Sequence, residues 1–122
     1  MHPHLANTRA LARFNYPFLA ISGVMLAAQG YQESMLNQNL VSPRGAVGVM
    51  QVLRQDAAAN PINIPNVHDA KNNIRAGAKI LAQITKTYFN DPGIDQMNKT
   101  LLTSAAYTAS GCSISCNRSE LN

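Results

Sequence analysis

The sequence predicts a mainly α-helical single domain, and three observations carry that prediction. A chain of 122 residues suits one domain around one core. Ala, Leu, Ile, Met, Gln and Asn are abundant while β-branched runs are scarce, a mix that favours helices over sheets. Apolar residues recur at helical spacing in several separate stretches. Hydrophobic residues make up 46% of the chain, enough to build and bury that core.

Residues 1–14 read as an irregular start, with His2 and His4 in a ragged terminus rather than a metal site. Pro17 fits the first turn of a helix, where its missing N–H costs nothing. Leu19, Ile21, Val24, Met25, Ala28 and Tyr31 continue a helical pattern to about Met35, apolar on nearly every side as in a central core helix. Gly23 and Gly30 weaken it locally but allow close neighbours. Arg9 and Arg13 ahead of the apolar stretch Phe18–Ala28 also fit a secretory signal peptide. The stretch is too short to span a membrane.

Asn37–Gly45 reads as a loop punctuated by Pro43 and Gly45. Ala46–Ala59 reads as a helical segment with Val47, Met50, Val52 and Leu53 inward. Two prolines make 60–66 a second loop. Asp69 is the expected N-cap of the next helix. Its stripe of Ile74, Ala78, Leu81 and Ile84 runs to about Phe89, and Asn90–Gly93 is a turn signal. Met97–Ala109 reads as a last helix with Leu101, Leu102, Ala105 and Ala106 inside. The small, polar and aperiodic end reads as a tail. The division is an irregular segment 1–14, one domain 15–111 and a divergent tail 112–122.

The formal net charge is +4. The ten Lys and Arg are scattered and not interleaved with aromatics, so there is no nucleic-acid footprint. A solvated basic surface is the favoured reading, and an acidic polymer suits it as a partner. Cys112 and Cys116 form a C-x3-C pair, too few ligands for a zinc site. A local disulfide is open but not demanded. No metal and no cofactor is expected.

One charge stands alone. Between Arg13 and Arg44 the only residue charged at neutral pH is Glu33, near the C-terminal end of the most apolar helix. Burial and the negative end of the helix both disfavour a carboxylate there. A Glu so placed suits general acid catalysis. The competing reading is a Glu that reaches solvent from the helix end, which base rates of burial favour.

The words around it decide. They are Gln32-Glu33-Ser34, then Ser42-Pro43-Arg44-Gly45-Ala46-Val47-Gly48-Val49-Met50-Gln51, then Asn73-Ile74-Arg75-Ala76-Gly77-Ala78-Lys79-Ile80-Leu81, then Ala105-Ala106-Tyr107. Four blocks in this order and spacing resemble the lytic transglycosylase (SLT, goose-lysozyme-like) domain. Ala28–Ser34 is most similar to the membrane-bound lytic murein transglycosylase F branch. The resemblance covers roughly residues 15–111. It implies a lysozyme-like helical fold, shortened at its C-terminus, and it favours a core helix over a signal peptide for Phe18–Ala28.

The resemblance also implies roles. Glu33 is the single catalytic acid/base. It protonates the glycosidic oxygen between N-acetylmuramic acid and N-acetylglucosamine in peptidoglycan. It then takes the proton of the muramic C6 hydroxyl as that group closes a 1,6-anhydro ring. Ordinary glycosidases use two carboxylates, whereas here the next acid in the chain is Asp56. One carboxylate plus an intramolecular nucleophile fits that count.

Ser34, Met50, Gln51, Tyr107 and Thr108 are the implied substrate-binding residues. Each has a plainer reading. Ser34 can bond its own helix backbone, Met50 can be core, and Tyr107 can be core with its hydroxyl at the surface. Gly45 and Gly48 let the second block turn tightly. Asn73, Ile74 and Gly77 read as scaffold, Asn73 steadying a helix start and Gly77 admitting a close helix neighbour.

Two departures from the pattern stand out. Thr108 takes the place of the family Asn, offering one hydroxyl for an amide donor and a carbonyl acceptor, so weaker substrate positioning is expected. The ending resembles nothing in the family, and missing helices would expose apolar faces and invite a homodimer or a place in a larger envelope protein. The leading reading is an active lytic transglycosylase of the bacterial envelope. A degenerate peptidoglycan-binding module, an inactive fragment and a lysozyme-type hydrolase are the alternatives.

Overall fold

The computed structural model describes the backbone of residues 23–120 and the side chains of residues 23–109. Four helices follow in order: α1 (Gly23–Ser34), α2 (Arg54–Ala58), α3 (Ala70–Tyr88) and α4 (Gln96–Glu120). Two isolated bridges, Val41 with Val47 and Val47 with Val52, are the only β pairing among the described residues. The mainly helical expectation holds. The irregular start, Pro17 and the first part of the Phe18–Ala28 stretch lie outside the described residues, as do the Cys112 and Cys116 side chains.

α1 ends where the sequence places its end, but it is not apolar all round. Its buried line is Gly23, Leu26, Gln29, Gly30 and Ser34, one face at helical spacing. Val24 and Tyr31, expected inside, are 70% and 60% exposed. The polar Gln29 takes a buried position instead, at 2% exposure. The helix stops as Met35 and Leu36 both take positive φ, and the Leu36 N–H donates back to the Gly30 carbonyl at 3.3 Å.

The expected helix over Ala46–Ala59 is corrected to a compact turn followed by the short α2. Gly48 has φ +77° and Gln51 φ 48°, a left-handed conformation that interrupts a right-handed helix. Val47 and Val52 exchange backbone hydrogen bonds at 3.0 Å in each direction. β-branched residues accept that extended pairing readily. The inward set is nonetheless right: Val47, Met50, Val52 and Leu53 are all buried. Periodicity found the buried residues and mistook the backbone that presents them.

α3 follows its sequence signals closely. The Asp69 carboxylate accepts the Asn72 N–H at 3.0 Å as an N-cap. Ala78 and Leu81 are buried, with Ile74 and Ile84 packed against the core. The Asp91 carboxylate and carbonyl accept the Gly93 and Ile94 N–H groups to form the expected turn.

Gly77 lies where α3 meets the turn. A Cβ there would sit 2.6 Å from Met50 Cγ and 2.7 Å from Met50 Cβ. Gly→Ala in a helix gains up to about 1 kcal/mol of propensity, whereas overpacking costs about 1–3 kcal/mol. Met50 Cβ is fixed to the backbone, so the clash cannot be relieved by a side-chain swing, and overpacking wins. Gly77→Ala is expected to lower Tm, and a thermal melt that rose instead would show the turn can recede.

α4 corrects two expectations. Its backbone stays helical to Glu120, beyond the Ala109 end read from the sequence. The residues facing inward are Thr103 and Tyr107. Leu101 and Leu102 are 60% and 42% exposed, and Ala105 is exposed as well. The side that meets α3 carries hydroxyls. Thr85 and Thr103 place their oxygens 2.6 Å apart in the interior, with the Thr85 hydroxyl also 3.1 Å from the Leu81 carbonyl. A leucine-based stripe could not reveal an interface held by a threonine pair.

Asp56 sits in the first turn of α2, and burial raises its carboxyl above the ordinary value of 3.8. The folded state therefore holds this proton to higher pH than the unfolded state does. The resulting destabilisation is absent below pH 3.8 and complete above the folded value. Asp56→Asn is expected to raise Tm near neutral pH and to leave it unchanged below pH 3.8. Equal Tm differences at the two pH values would rule out this electrostatic origin.

Candidate active site

The site is assembled from the last turn of α1, the 38–52 turn and the middle of α4. Glu33 is half-buried in the penultimate position of α1. Residues i and i+4 on a helix lie on one face, so Gln29 stands one turn below it. The Gln29 Nε2 donates to Glu33 Oε1 at 3.0 Å. On α4 the same spacing sets Ser104 and Thr108 on a common face. The Thr108 hydroxyl donates to the same Glu33 Oε1 at 3.0 Å. Gln29 Nε2 also donates to Thr108 Oγ1 at 3.1 Å, and the Ser104 hydroxyl donates to Gln29 Oε1 at 2.6 Å.

Glu33 thus has one oxygen held by two donors. Its other oxygen, Oε2, has no hydrogen-bond partner among the described residues. No second carboxylate enters this network among the described residues. Nor do these residues contain a group of three or more His, Cys, Asp or Glu able to hold a metal ion.

Tyr107 precedes Thr108 and faces the core at 3% exposure. Its hydroxyl donates to the Met50 carbonyl at 2.6 Å, so it is not at the surface. Burial first, and the nearby Glu33 charge second, push the phenol far above its ordinary range. It remains a neutral donor throughout working pH.

Ser34, Met50 and Gln51 lie behind Glu33 in the scaffold. The Ser34 hydroxyl sits 3.1 Å from the Gly30 carbonyl and 2.8 Å from the Val49 carbonyl, and it accepts the Asn37 N–H. It bonds its own helix and also pins the 38–52 turn to α1. Met50 is fully buried. The Gln51 amide donates to the Leu40 and Gly48 carbonyls at 3.1 and 2.9 Å. The structure brings Glu33 and Thr108 into direct contact and joins Tyr107 to them through the backbone. It sets Ser34, Met50 and Gln51 beneath them, with polar groups spent on the fold.

Two residues that sequence reading passed over complete the arrangement. Gln38 accepts the Val49 N–H and donates to the Val67 and His68 carbonyls, clamping the turn from outside. Gln29 is the other. A glutamine four residues before the lone Glu was a readable signal, since i and i+4 side chains meet on a helix.

The sequence model of the Transglycosylase SLT domain family matches residues 20–118. The chain belongs to that family. Among its relatives, the membrane-bound lytic murein transglycosylase F of Pseudoalteromonas translucida is 39% identical over 83 residues, which cover 68% of this chain and 17% of that protein. The protein of the same name from Pseudomonas fluorescens is 37% identical over 83 residues, covering 68% and 16%. That from Marinobacter nauticus is 43% identical over 60 residues, covering 49% and 12%. The chain spans less than a fifth of the length of these relatives. No solved structure matches. The family and branch that the four sequence blocks resemble are therefore the ones found, and the helical fold is that of a lysozyme-like SLT domain.

Proposed function

We propose that this SLT domain cleaves the β-1,4 bond between N-acetylmuramic acid and N-acetylglucosamine in peptidoglycan and leaves 1,6-anhydromuramyl ends. The observation that carries the reading is the two-donor hold on Glu33 Oε1, which leaves Oε2 for proton exchange. Family membership supports the substrate class.

In this mechanism Glu33, protonated at Oε2, donates to the glycosidic oxygen as the C1–O bond breaks. The resulting carboxylate takes the proton of the muramic C6 hydroxyl while that oxygen bonds to C1. The proton count closes without water, and Glu33 ends the cycle protonated. A second carboxylate is not required, because the nucleophile is part of the substrate. The site of action is the bacterial envelope, where this polymer lies. No helix among the described residues is long and apolar enough to cross a membrane.

Mass spectrometry of soluble products from purified peptidoglycan tests the reading. Anhydromuramyl fragments are the expected result. Reducing ends would make the protein a hydrolase of lysozyme type. Saturable binding of the polymer with no fragments would favour a binding module, a reading that the commitment of the Thr108 hydroxyl to Glu33 also suits.

A further inference from the structure

We infer that Gln29 is a positioning residue for Glu33, fixing which carboxyl oxygen carries the transferred proton. The inference rests on the function proposed above. Gln29 is 2% exposed, and a buried primary amide is costly unless its donors and acceptor are all met. Here they are. The Oε1 accepts the Ser104 hydroxyl at 2.6 Å, and the two hydrogens on Nε2 match two acceptors, Glu33 Oε1 at 3.0 Å and Thr108 Oγ1 at 3.1 Å. The Thr108 hydrogen is then free to go to Glu33 Oε1 at 3.0 Å. Flipping the amide would set its oxygen against the Glu33 carboxylate oxygen, two acceptors face to face. The Ser104 hydroxyl, which can donate or accept, suits either orientation, so the Glu33 contact decides. One orientation satisfies every atom.

This chain of donors has a direction. It starts at Ser104, passes through Gln29 and converges with Thr108 on one oxygen of Glu33. An oxygen already accepting two hydrogen bonds is a poor place for a carboxyl proton, so the acid form carries it on Oε2. Both donors also fix the plane of the carboxyl group. A general acid held this way meets the glycosidic oxygen without first searching rotamers, and orientation of that kind acts on the chemical step more than on binding. Thr108 alone supplies one donor to Glu33. The amide donor comes from Glu33's own helix, one turn back at Gln29.

Steady-state cleavage of a soluble glycan fragment by the parent, Glu33→Gln, Gln29→Met, Ser104→Ala and Gln29→Met/Thr108→Asn tests this. Met fills the volume of Gln without a donor. Gln29→Met is expected to lower kcat by about tenfold or more with KM changed less than about twofold, because one of the two donors that hold the reacting carboxyl in its orientation is lost. Ser104→Ala removes only a half-buried hydroxyl and is expected to give a smaller fall in kcat in the same direction. Adding Thr108→Asn, which returns an amide donor from α4, is expected to recover much of the loss. A merely structural role predicts a loss that follows the folded fraction and no such recovery.

If Gln29→Met does not fold, Ser104→Ala keeps the inference exposed. Parent-like kcat in Ser104→Ala would then overturn it. Parent-like kcat in a folded Gln29→Met beside an inactive Glu33→Gln would overturn this inference and leave the proposed function standing. No cleavage by the parent would overturn the proposed function and this inference with it.

Discussion

Asn73→Ala is expected to destabilise the domain by at least about 3 kcal/mol, and urea unfolding followed by circular dichroism will show it as a large fall in midpoint. Asn73 is fully buried near the start of α3. Its Oδ1 accepts the Met50 N–H at 2.8 Å, and its Nδ2 donates to the Val47 and Val67 carbonyls at 2.7 and 2.9 Å. Truncation strips three partners from buried backbone groups at once. Each group left unsatisfied costs about 1–3 kcal/mol, against a total stability of about 5–15 kcal/mol for a typical domain. Asn73→Asp separates hydrogen bonding from packing. It keeps the shape and the acceptor for Met50, but turns a carboxylate oxygen toward two carbonyls. It is expected to be nearly as damaging at neutral pH as Asn73→Ala. A fall below about 1 kcal/mol in both variants would mean that water replaces the side chain.

The same residue connects the scaffold to the site. Asn73 holds the Met50 backbone N–H, and the Met50 carbonyl receives the Tyr107 hydroxyl. Tyr107 precedes Thr108, whose hydroxyl rests on Glu33. One buried amide therefore links α3, the turn and α4 to the end of α1. The sequence suggested that Asn73 steadies a helix start. The N-cap is Asp69, through the Asn72 N–H, while Asn73 holds the Val67 carbonyl just ahead of that cap and ties the Met50 N–H and Val47 carbonyl of the turn to the same point.

What was legible in the sequence depended on the kind of force involved. α1 ends where expected, and α3 carries its N-cap and its stripe as read, because caps and apolar periodicity are local signals. The turn at 46–53 was misread because its apolar residues recur as in a helix, while Gly48 and Gln51 hold the backbone left-handed. Gly48 was open to that reading in the sequence. Gln51, a non-glycine at positive φ, was not. The inward face of α4 was misread because Thr85 and Thr103 bury a hydroxyl pair, which no search for leucines detects.

Glu33 followed from its isolation among apolar residues and from the motif around it. The pairing of Gln29 with Glu33 was readable from its i, i+4 spacing, but its further contacts to Thr108 and Ser104 were not, since they depend on α4 arriving beside α1. The resemblance implies substrate contacts for Ser34, Gln51 and Tyr107, beside the plainer readings of Ser34 bonding its own helix and Tyr107 in the core. Each spends its polar group on a backbone carbonyl: Val49, Leu40 and Met50 respectively. A motif marks the residues a site needs and does not separate those that touch a substrate from those that hold the others in place.

Glu33→Gln is expected to lower peptidoglycan cleavage at least about a hundredfold while leaving the fold and glycan binding intact, since loss of a positioned general acid typically costs 10²–10⁴. The hydrogen-bond pattern makes this substitution clean. Both donors, from Gln29 and Thr108, meet the same oxygen, Oε1. A glutamine at position 33 can keep its carbonyl there and accept both. Its amide nitrogen then takes the place of Oε2, which has no partner among the described residues to lose. Tm should therefore change little, and pull-down on insoluble peptidoglycan should match the parent. The lost property is proton transfer, because an amide neither gives a proton to a leaving oxygen nor takes one from a hydroxyl at neutral pH. Fragment release within tenfold of the parent would show that another group carries the proton. A matching fall in Tm and binding would show that Glu33 holds the α1–α4 junction together, and the loss of cleavage would then be a loss of structure.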